Sequence, residues 1–378
     1  MLTSRTAKRW AFIAGWVSSR RDAPTSTDRG DPIRSSIFDF AQRKNRPPGS
    51  SGEDKATNTI IRFATDDFLP EHRFDQWREV RGKSLFGVTI ELARDLRHSF
   101  KGSFQARALA GAVVTEMHAS SYRVNRTEAD IARIAGDSLC IGLQVKGSGF
   151  LHAGRDEVHN VSGGDITINH SDLPYDAIPG GEAAFHYNML KIPVDYEVML
   201  GQPADDLFAT RYAENTAVSR PFRALFDALN ADHGRLIDPA RDVAHIARLA
   251  MAVRGRLSPA MPEVRAALRT GLCYAAQEIM MRKKARQNLS PAAVARELGI
   301  SLRQLHVVFE GAELSFSRTL SAMRIEEAKR LLLAFPALPV TQVAYGCGFD
   351  SLATFYRVFA GTYGMTPGEA RITDMPPA

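Results

Sequence analysis

Two stretches near the C-terminus carry side chains suited to reading a double helix. The first is Ser290-Pro-Ala-Ala-Val-Ala-Arg-Glu-Leu-Gly-Ile-Ser-Leu-Arg-Gln-Leu-His-Val-Val-Phe309. Ser290 is suited to cap a helix and Pro291 to be its first residue. Val294, Ala295 and Leu298 give that helix a buried stripe, and Gly299 can adopt the positive φ that ends it. Ser301 caps a second helix. Its inward residues Leu305, Val308 and Phe309 leave Leu302, Arg303, Gln304, His306 and Val307 facing outward. Two short helices joined through a glycine turn form a helix-turn-helix, whose second helix enters the major groove. The arrangement returns with Thr341 as the expected cap, Gly346 and Gly348 in the turn, and Ser351 opening a helix with Phe355, Val358 and Phe359 inward.

Other chemistries find little footing. His152, His159, His170 and His186 are scattered, with no His-x-His followed by a suitably spaced glutamate, so no metal site is expected. No Ser-His-Asp or paired-carboxylate arrangement stands out, and neither a catalytic residue nor a cofactor is expected. Cys140, Cys273 and Cys347 lie far apart without a Cys-x-x-Cys pair. That usage points away from disulfides and cysteine-bound zinc, and towards a reducing cytoplasm.

The two reading helices need a frame. Between them Phe316, Leu320, Met323, Ala328, Leu331 and Leu332 recur at helical spacing. They predict a rod of ~20 residues, ~30 Å long at 1.5 Å per residue. That is close to the ~34 Å between successive major-groove faces. Upstream, residues 59–215 read as mostly β with one early helix. Strands are expected at 85–96, 109–117, 120–124, 140–145, 149–151 and 165–168, separated by turn signals such as Lys146-Gly-Ser-Gly149. Many short strands at close spacing suggest a sandwich or small barrel. Phe222, Leu225, Phe226 and Leu229, then Val243, Ile246, Ala247 and Ala250, predict two amphipathic helices. These are candidates for dimerisation or for completing the core. Leu257-Ser-Pro-Ala-Met-Pro262 reads as a linker.

The 378 residues are 44% hydrophobic and 24% charged, with a net charge of +6. This balance excludes wholesale disorder, and no apolar run reaches the ~18 residues of a membrane span. Residues 264–371 carry 14 Lys/Arg against 8 Asp/Glu, whereas residues 59–263 carry 23 against 27. A basic C-terminal part suits nucleic acid and a mildly acidic middle suits small molecules or partners. Residues 1–58 read as a tail with the Pro/Gly/Ser-rich stretch Arg46–Gly52. Trp10–Val17 is too short and glycine-broken for an export signal.

The segment 263–371 resembles the DNA-binding domain of the AraC/XylS family of bacterial transcription regulators. The resemblance is carried by Leu298-Gly-Ile-Ser-Leu-Arg-Gln-Leu with Phe309, and by Arg324-Ile-Glu-Glu-Ala-Lys-Arg-Leu-Leu332. It is strongest in Val340-Thr-Gln-Val-Ala-Tyr-Gly-Cys-Gly-Phe349 with Ser351, Phe355, Arg357 and Phe359, closing on Tyr363-Gly-Met-Thr-Pro-Gly-Glu-Ala-Arg371. Residues 59–257 resemble, more loosely, the cupin-like sensor and dimerisation domain of part of that family. The implied fold is α+β and multidomain, a cupin-like β-barrel or sandwich followed by an all-α double helix-turn-helix domain.

The resemblance implies a DNA-contacting set of Ser301, Leu302, Arg303, Gln304, His306 and Val307 in the first unit. In the second it is Ser351, Leu352, Ala353, Thr354 and Arg357. Arg303 suits guanine, Gln304 adenine, and Thr354 a thymine methyl or a phosphate. Val307, where the family often has a basic residue, and apolar Leu352 and Ala353 depart from the pattern and suggest more shape readout. Lys283, Lys284 and Arg286 suit phosphates, which position without specifying. Arg324 and Arg330 suit intradomain pairing.

Implied partners are double-stranded DNA, RNA polymerase, a small-molecule effector and a second copy of the chain, with no membrane. Activation rather than repression is the implied sign. Tyr122, Arg123, Gln144, His152 and Asn169 are candidate effector contacts. Two rival readings are a cupin-type enzyme with a helical appendage and a nucleoid-type architectural protein.

Overall fold

The computed structural model describes residues 60–154, 157–212, 217–231, 236 and 238–372. The expected tail over 1–58 lies outside the described residues. The chain divides into two units, one of residues up to 216 with 229–264, the other of residues 217–228 with 265 onward.

The first unit is built from antiparallel strands: β1 (Ile60–Ala64), β2 (Thr89–Glu91), β3 (Gly102–Leu109), β4 (Ala112–Ser120), β5 (Arg123–Arg126), β6 (Ser138–Lys146), β7 (Gly149–Ala153), β8 (Glu157–Val161), β9 (Ile166–His170), β10 (Tyr175–Pro179), β11 (Ala184–Pro193) and β12 (Thr210–Arg211). One sheet runs β1-β3-β4-β11-β6-β9-β12 and the other β2-β5-β10-β7-β8. Helices α1 (Pro70–Trp77) and α2 (Glu128–Arg133) interrupt the strands. Phe74 and Trp77 of α1 pack with Phe63, Phe100, Phe104 and Tyr122 into an aromatic core. Thr127 and Asp130 cap α2 reciprocally, each side chain accepting from the other's backbone N–H.

The expected strand over 85–96 is mostly something else. Arg78–Phe86 continues from α1 as a π-helical run, ended by Gly87 in the left-handed region at φ 67°. Only Thr89–Glu91 remains extended. The apolar residues Phe86, Val88 and Ile90 therefore alternate in sequence without sharing a strand. The strand expected at 109–117 begins later, because Ala110 (φ 45°) and Gly111 (φ 87°) form the hairpin joining β3 to β4.

In the second unit the helices are α5 (Pro262–Lys283, from residue 265), α6 (Pro291–Leu298), α7 (Leu302–Glu310), α8 (Phe316–Ala334), α9 (Val340–Gly346), α10 (Leu352–Tyr363) and α11 (Pro367–Ile372). Before them in the chain come α3 (Ser219–Asn230) and, within the first unit, α4 (Pro239–Val253). Most of α3, expected with the sensor part, belongs to the helical unit. Ala224 enters the cluster of Ala275, Ala276 and Ile279. The crossing is close: a Cβ on Gly271 would stand 2.3 Å from the Pro221 carbonyl oxygen.

Two cores share α8. Phe316, Leu320 and Met323 join the cluster of Val294, Leu298, Leu305 and Phe309. Ile325, Ala328 and Leu332 join that of Val343, Phe349, Phe355 and Phe359. At 3.6 residues per turn these two sets point roughly 150° apart around the helix. One rod thus carries a helix pair on each of two sides.

Candidate nucleic-acid interface and effector cavity

Local capping sets the first helix pair. Ser290 accepts from the Ala293 N–H at the start of α6, and Gly299 closes α6 at φ 71°. At the start of α7 Ser301 Oγ accepts from the Gln304 N–H at 3.1 Å, and Gln304 Oε1 accepts from the Ser301 N–H at 2.8 Å. Leu305, Val308 and Phe309 are buried. Leu302, Arg303, Gln304, His306 and Val307 are exposed, as the stripe predicts. The adenine-reading role expected of Gln304 conflicts with this geometry, because its carbonyl oxygen is already held by the cap.

The second pair differs in its entry. Pro339, not Thr341, occupies the cap of α9, and Thr341 lies within the helix, since the fixed φ of proline already orients the chain. Ser351 caps α10, accepting from the Thr354 N–H at 3.4 Å. Ala353 and Arg357 are exposed, and Leu352 and Thr354 half-buried. Tyr356, 42% exposed, and Tyr345, 45% exposed, also face outward. Sequence reasoning passed over both; their places between inward Phe355 and Phe359, and after buried Val343 and Ala344, were the available signal.

The flanking cations are less free than their charge suggests. Lys283 Nζ donates to Glu297, and Arg282 pairs with the same carboxylate at 3.2 Å. The hydrogen bond from Lys283 holds the Glu297 carboxyl below its ordinary range, with the Lys283 and Arg282 charges adding to it. Lys284 Nζ contacts Met281 Sδ at 3.1 Å and Glu327 at 3.4 Å. The expected phosphate roles of Lys283 and Lys284 therefore require breaking intradomain pairs. Arg330 pairs with Glu327 at 2.5 Å. Arg324 donates instead to backbone carbonyls, Nε to Lys284 at 2.8 Å and Nη2 to Arg286 at 2.7 Å.

Between the two sheets of the first unit lies a cavity of about 180 Å³. Tyr122, Gln144 and Asn169 line it; Arg123 and His152 do not. The reason is the period of two along a strand. Val124 and Arg126 face in from β5, so Arg123 faces out and pairs with Asp176 at 2.6 Å. Gly149 and Leu151 face in from β7, and His152 is exposed. Burial pushes the phenols of Tyr122, Tyr175 and Tyr187 up, Tyr175 to about 12.

Comparison with known proteins places these parts. A helix-turn-helix domain family matches residues 294–372, and an AraC-like ligand binding domain family matches residues 123–250. The chain belongs to the AraC/XylS family. Transcriptional activator RhrA of Rhizobium meliloti is 35% identical over 79 residues, 21% of this chain and 25% of that protein. HTH-type transcriptional regulator GlxA of the same organism is 37% identical over 84 residues, 22% and 26% of the two chains. The chain thus spans about a quarter of the length of the curated relatives it matches. Among solved structures, the AraC-like transcriptional activator CuxR is 16% identical with a TM-score of 0.42, covering 73% of this chain and 95% of that one.

This AraC-type chain also carries a side-chain cluster that sequence spacing concealed. On the face of β4 and β11 turned from the cavity, His118 and His186 stack with ring centroids 3.8 Å apart. Glu116 Oε1 lies 3.0 Å from His186 Nε2 and 3.4 Å from His118 Nε2. One ligand atom from each residue falls within 4.8 Å of the others, a grouping able to hold a divalent ion. The four candidate histidines do not include His118, which antiparallel register sets opposite His186. Burial and the charge of His118 push the His186 imidazole down, against the pull of Glu116. Burial would raise the Glu116 carboxyl, but the hydrogen bond from Gln105 and the two imidazoles hold it below its ordinary range.

Proposed function

We propose that this chain is a one-component transcription regulator of the cytoplasm, a DNA-binding protein and not an enzyme. The carrying observation is the pair of outward helix faces on α7 and α10, each capped by serine and packed onto the shared rod α8. In this reading α7 and α10 enter successive major grooves. Arg303, His306 and Val307, with Ser301, Leu302 and Gln304 beside them, face base edges of one half-site. Ser351, Leu352, Ala353, Thr354 and Arg357 face the other. Arg303 and Arg357 are exposed. Arg303 has the planar fork that matches guanine O6 and N7.

The cavity between the sheets takes a small effector, with Tyr122, Gln144 and Asn169 among its walls. The effector acts by binding the DNA-competent arrangement with different affinity from the other. Activation through RNA polymerase and dimerisation through the helices at 220–256 complete the proposal. The sensor part is 59–257 and the DNA-binding part 263–371.

Footprinting of genomic fragments by the purified chain, with and without added metabolites, tests this reading. Protection of sites holding two half-sites about one helical turn apart is expected, with a cognate affinity ~10³–10⁷ times that for random DNA. Equal affinity for all sequences overturns it in favour of an architectural role.

A further inference from the structure

The cavity holds an uncompensated cation. Arg81, on the π-helical run Arg78–Phe86, is 7% exposed and lines the cavity wall. Its Nε and Nη1 are buried without a hydrogen-bond partner among the described residues. Its guanidinium lies 4.7 Å from the centre of the Phe86 ring and 5.8 Å from that of Tyr122. Aromatic faces attract a cation but do not accept its N–H bonds in the way an oxygen does. A buried charge left in this state is far more costly than a solvated one.

The remaining polar groups do not offset it. Among the described residues the lining contains Arg81, Arg126 and Lys191 and no aspartate or glutamate. Arg126 is itself satisfied: it donates to the carbonyls of Gly87, Ser171 and Ile134 and pairs with Asp172 at 3.2 Å. The neighbouring carboxylate of Asp130 is held by Thr127, Thr89 and Arg133. Lys191 is not without a partner of its own; the unfilled donors are those of Arg81, in a chamber otherwise walled by groups such as Val88, Leu151, Ile178 and Met189.

We propose that the cavity binds a small monocarboxylate with an apolar body, its carboxylate on Arg81. This rests on the reading of the cavity as the effector site and names the ligand class for it. One guanidinium with unfilled donors matches a monoanion better than a phosphate dianion. The apolar walls match a hydrocarbon or aryl body, and the carboxylate gives the guanidinium the charge-assisted partner it lacks. Arg81 is then a specificity residue, and a neutral amide of the same shape leaves the guanidinium as unpaired as before.

The test uses the full chain and thermal unfolding. Hexanoate, phenylacetate and 3-phenylpropanoate are each compared with the matched primary amide. At least one acid is expected to raise Tm in a saturable way while its amide does not, and Arg81→Met is expected to abolish that shift. Stabilisation by none of the acids, equal stabilisation by acid and amide, or a shift that survives in Arg81→Met overturns the proposal. A second readout needs no ligand. Because the guanidinium is unpaired, ligand-free Arg81→Met should unfold at a Tm equal to or above that of the parent, and a clear fall overturns the proposal. An acid that binds through Arg81 yet leaves the DNA footprint unchanged keeps the ligand class and removes the regulatory reading of the cavity, so the two failures are separable.

Discussion

Gly348 lies directly against the Lys284 carbonyl: a Cβ built on it would stand 2.4 Å from that oxygen. The same carbonyl accepts from Arg324 Nε at 2.8 Å, so the end of α5, the middle of α8 and the second turn meet at one point. Gly348 also has φ 89°, which disfavours any side chain. The second helix pair is thus seated on the scaffold by a backbone-to-backbone approach.

Gly348→Ala should therefore destabilise the helical unit by about 2–4 kcal/mol, combining left-handed strain with the clash. Gly346, two residues earlier, would place a Cβ in open space. Gly346→Ala should be neutral or stabilising by up to about 1 kcal/mol, as replacing a helical glycine usually is. Urea unfolding of both variants checks the pair, and equal effects would refute the seating argument.

Arg303→Ala should relax preference at one or two base pairs and cost about 1–3 kcal/mol on the preferred site. Lys283→Ala should change affinity little, because its amine is already paired with Glu297. Competition binding across a randomised site, at two salt concentrations, separates the two. A large uniform loss for Lys283→Ala would show that this pair opens on DNA.

What was legible in the sequence was local. Ser290, Ser301 and Ser351 cap where they were expected to, because capping depends on residues within one turn. The shared rod α8 was legible from its period. Strands β3 and β11 were not, since both faces of β11 carry apolar residues: Phe185 and Met189 line the cavity, and Leu190 and Ile192 are buried with the opposite-facing set. No alternation results. The isolation of Arg81 and the meeting of Glu116, His118 and His186 depend on strand register and on carboxylates engaged elsewhere, which no local pattern encodes. Even a correct strand assignment leaves the inward face open, as Arg123 and His152 show.

The packing of α3 on α5 gives a further test. Gly271→Ala drives a Cβ into the Pro221 carbonyl, 2.3 Å away in the present packing. The helices must separate, costing about 1–3 kcal/mol. Gly361, where a Cβ meets nothing, is the matched control. Thermal unfolding should show Gly271→Ala well below Gly361→Ala; coincidence of the two would mean that the crossing yields without cost.

Acid should weaken the sensor unit through His186. Its imidazole is held below its ordinary value in the folded chain, so the unfolded chain binds the proton more readily. Stability should be fullest above the ordinary histidine value of about 6.5 and fall as pH drops through it. Glu116, also held low, adds a second loss at more acid pH, as its carboxylate becomes protonated in the folded chain. Against His186 stand His118, stacked on it, and Lys146, opposite it on β6. His186→Gln should flatten the fall of Tm between pH 7.5 and pH 5.5 while leaving the steeper loss near the carboxylate range. A parent whose Tm does not change across that interval would show that the His186 proton is taken up without cost, and that the stacked pair opens to solvent before unfolding.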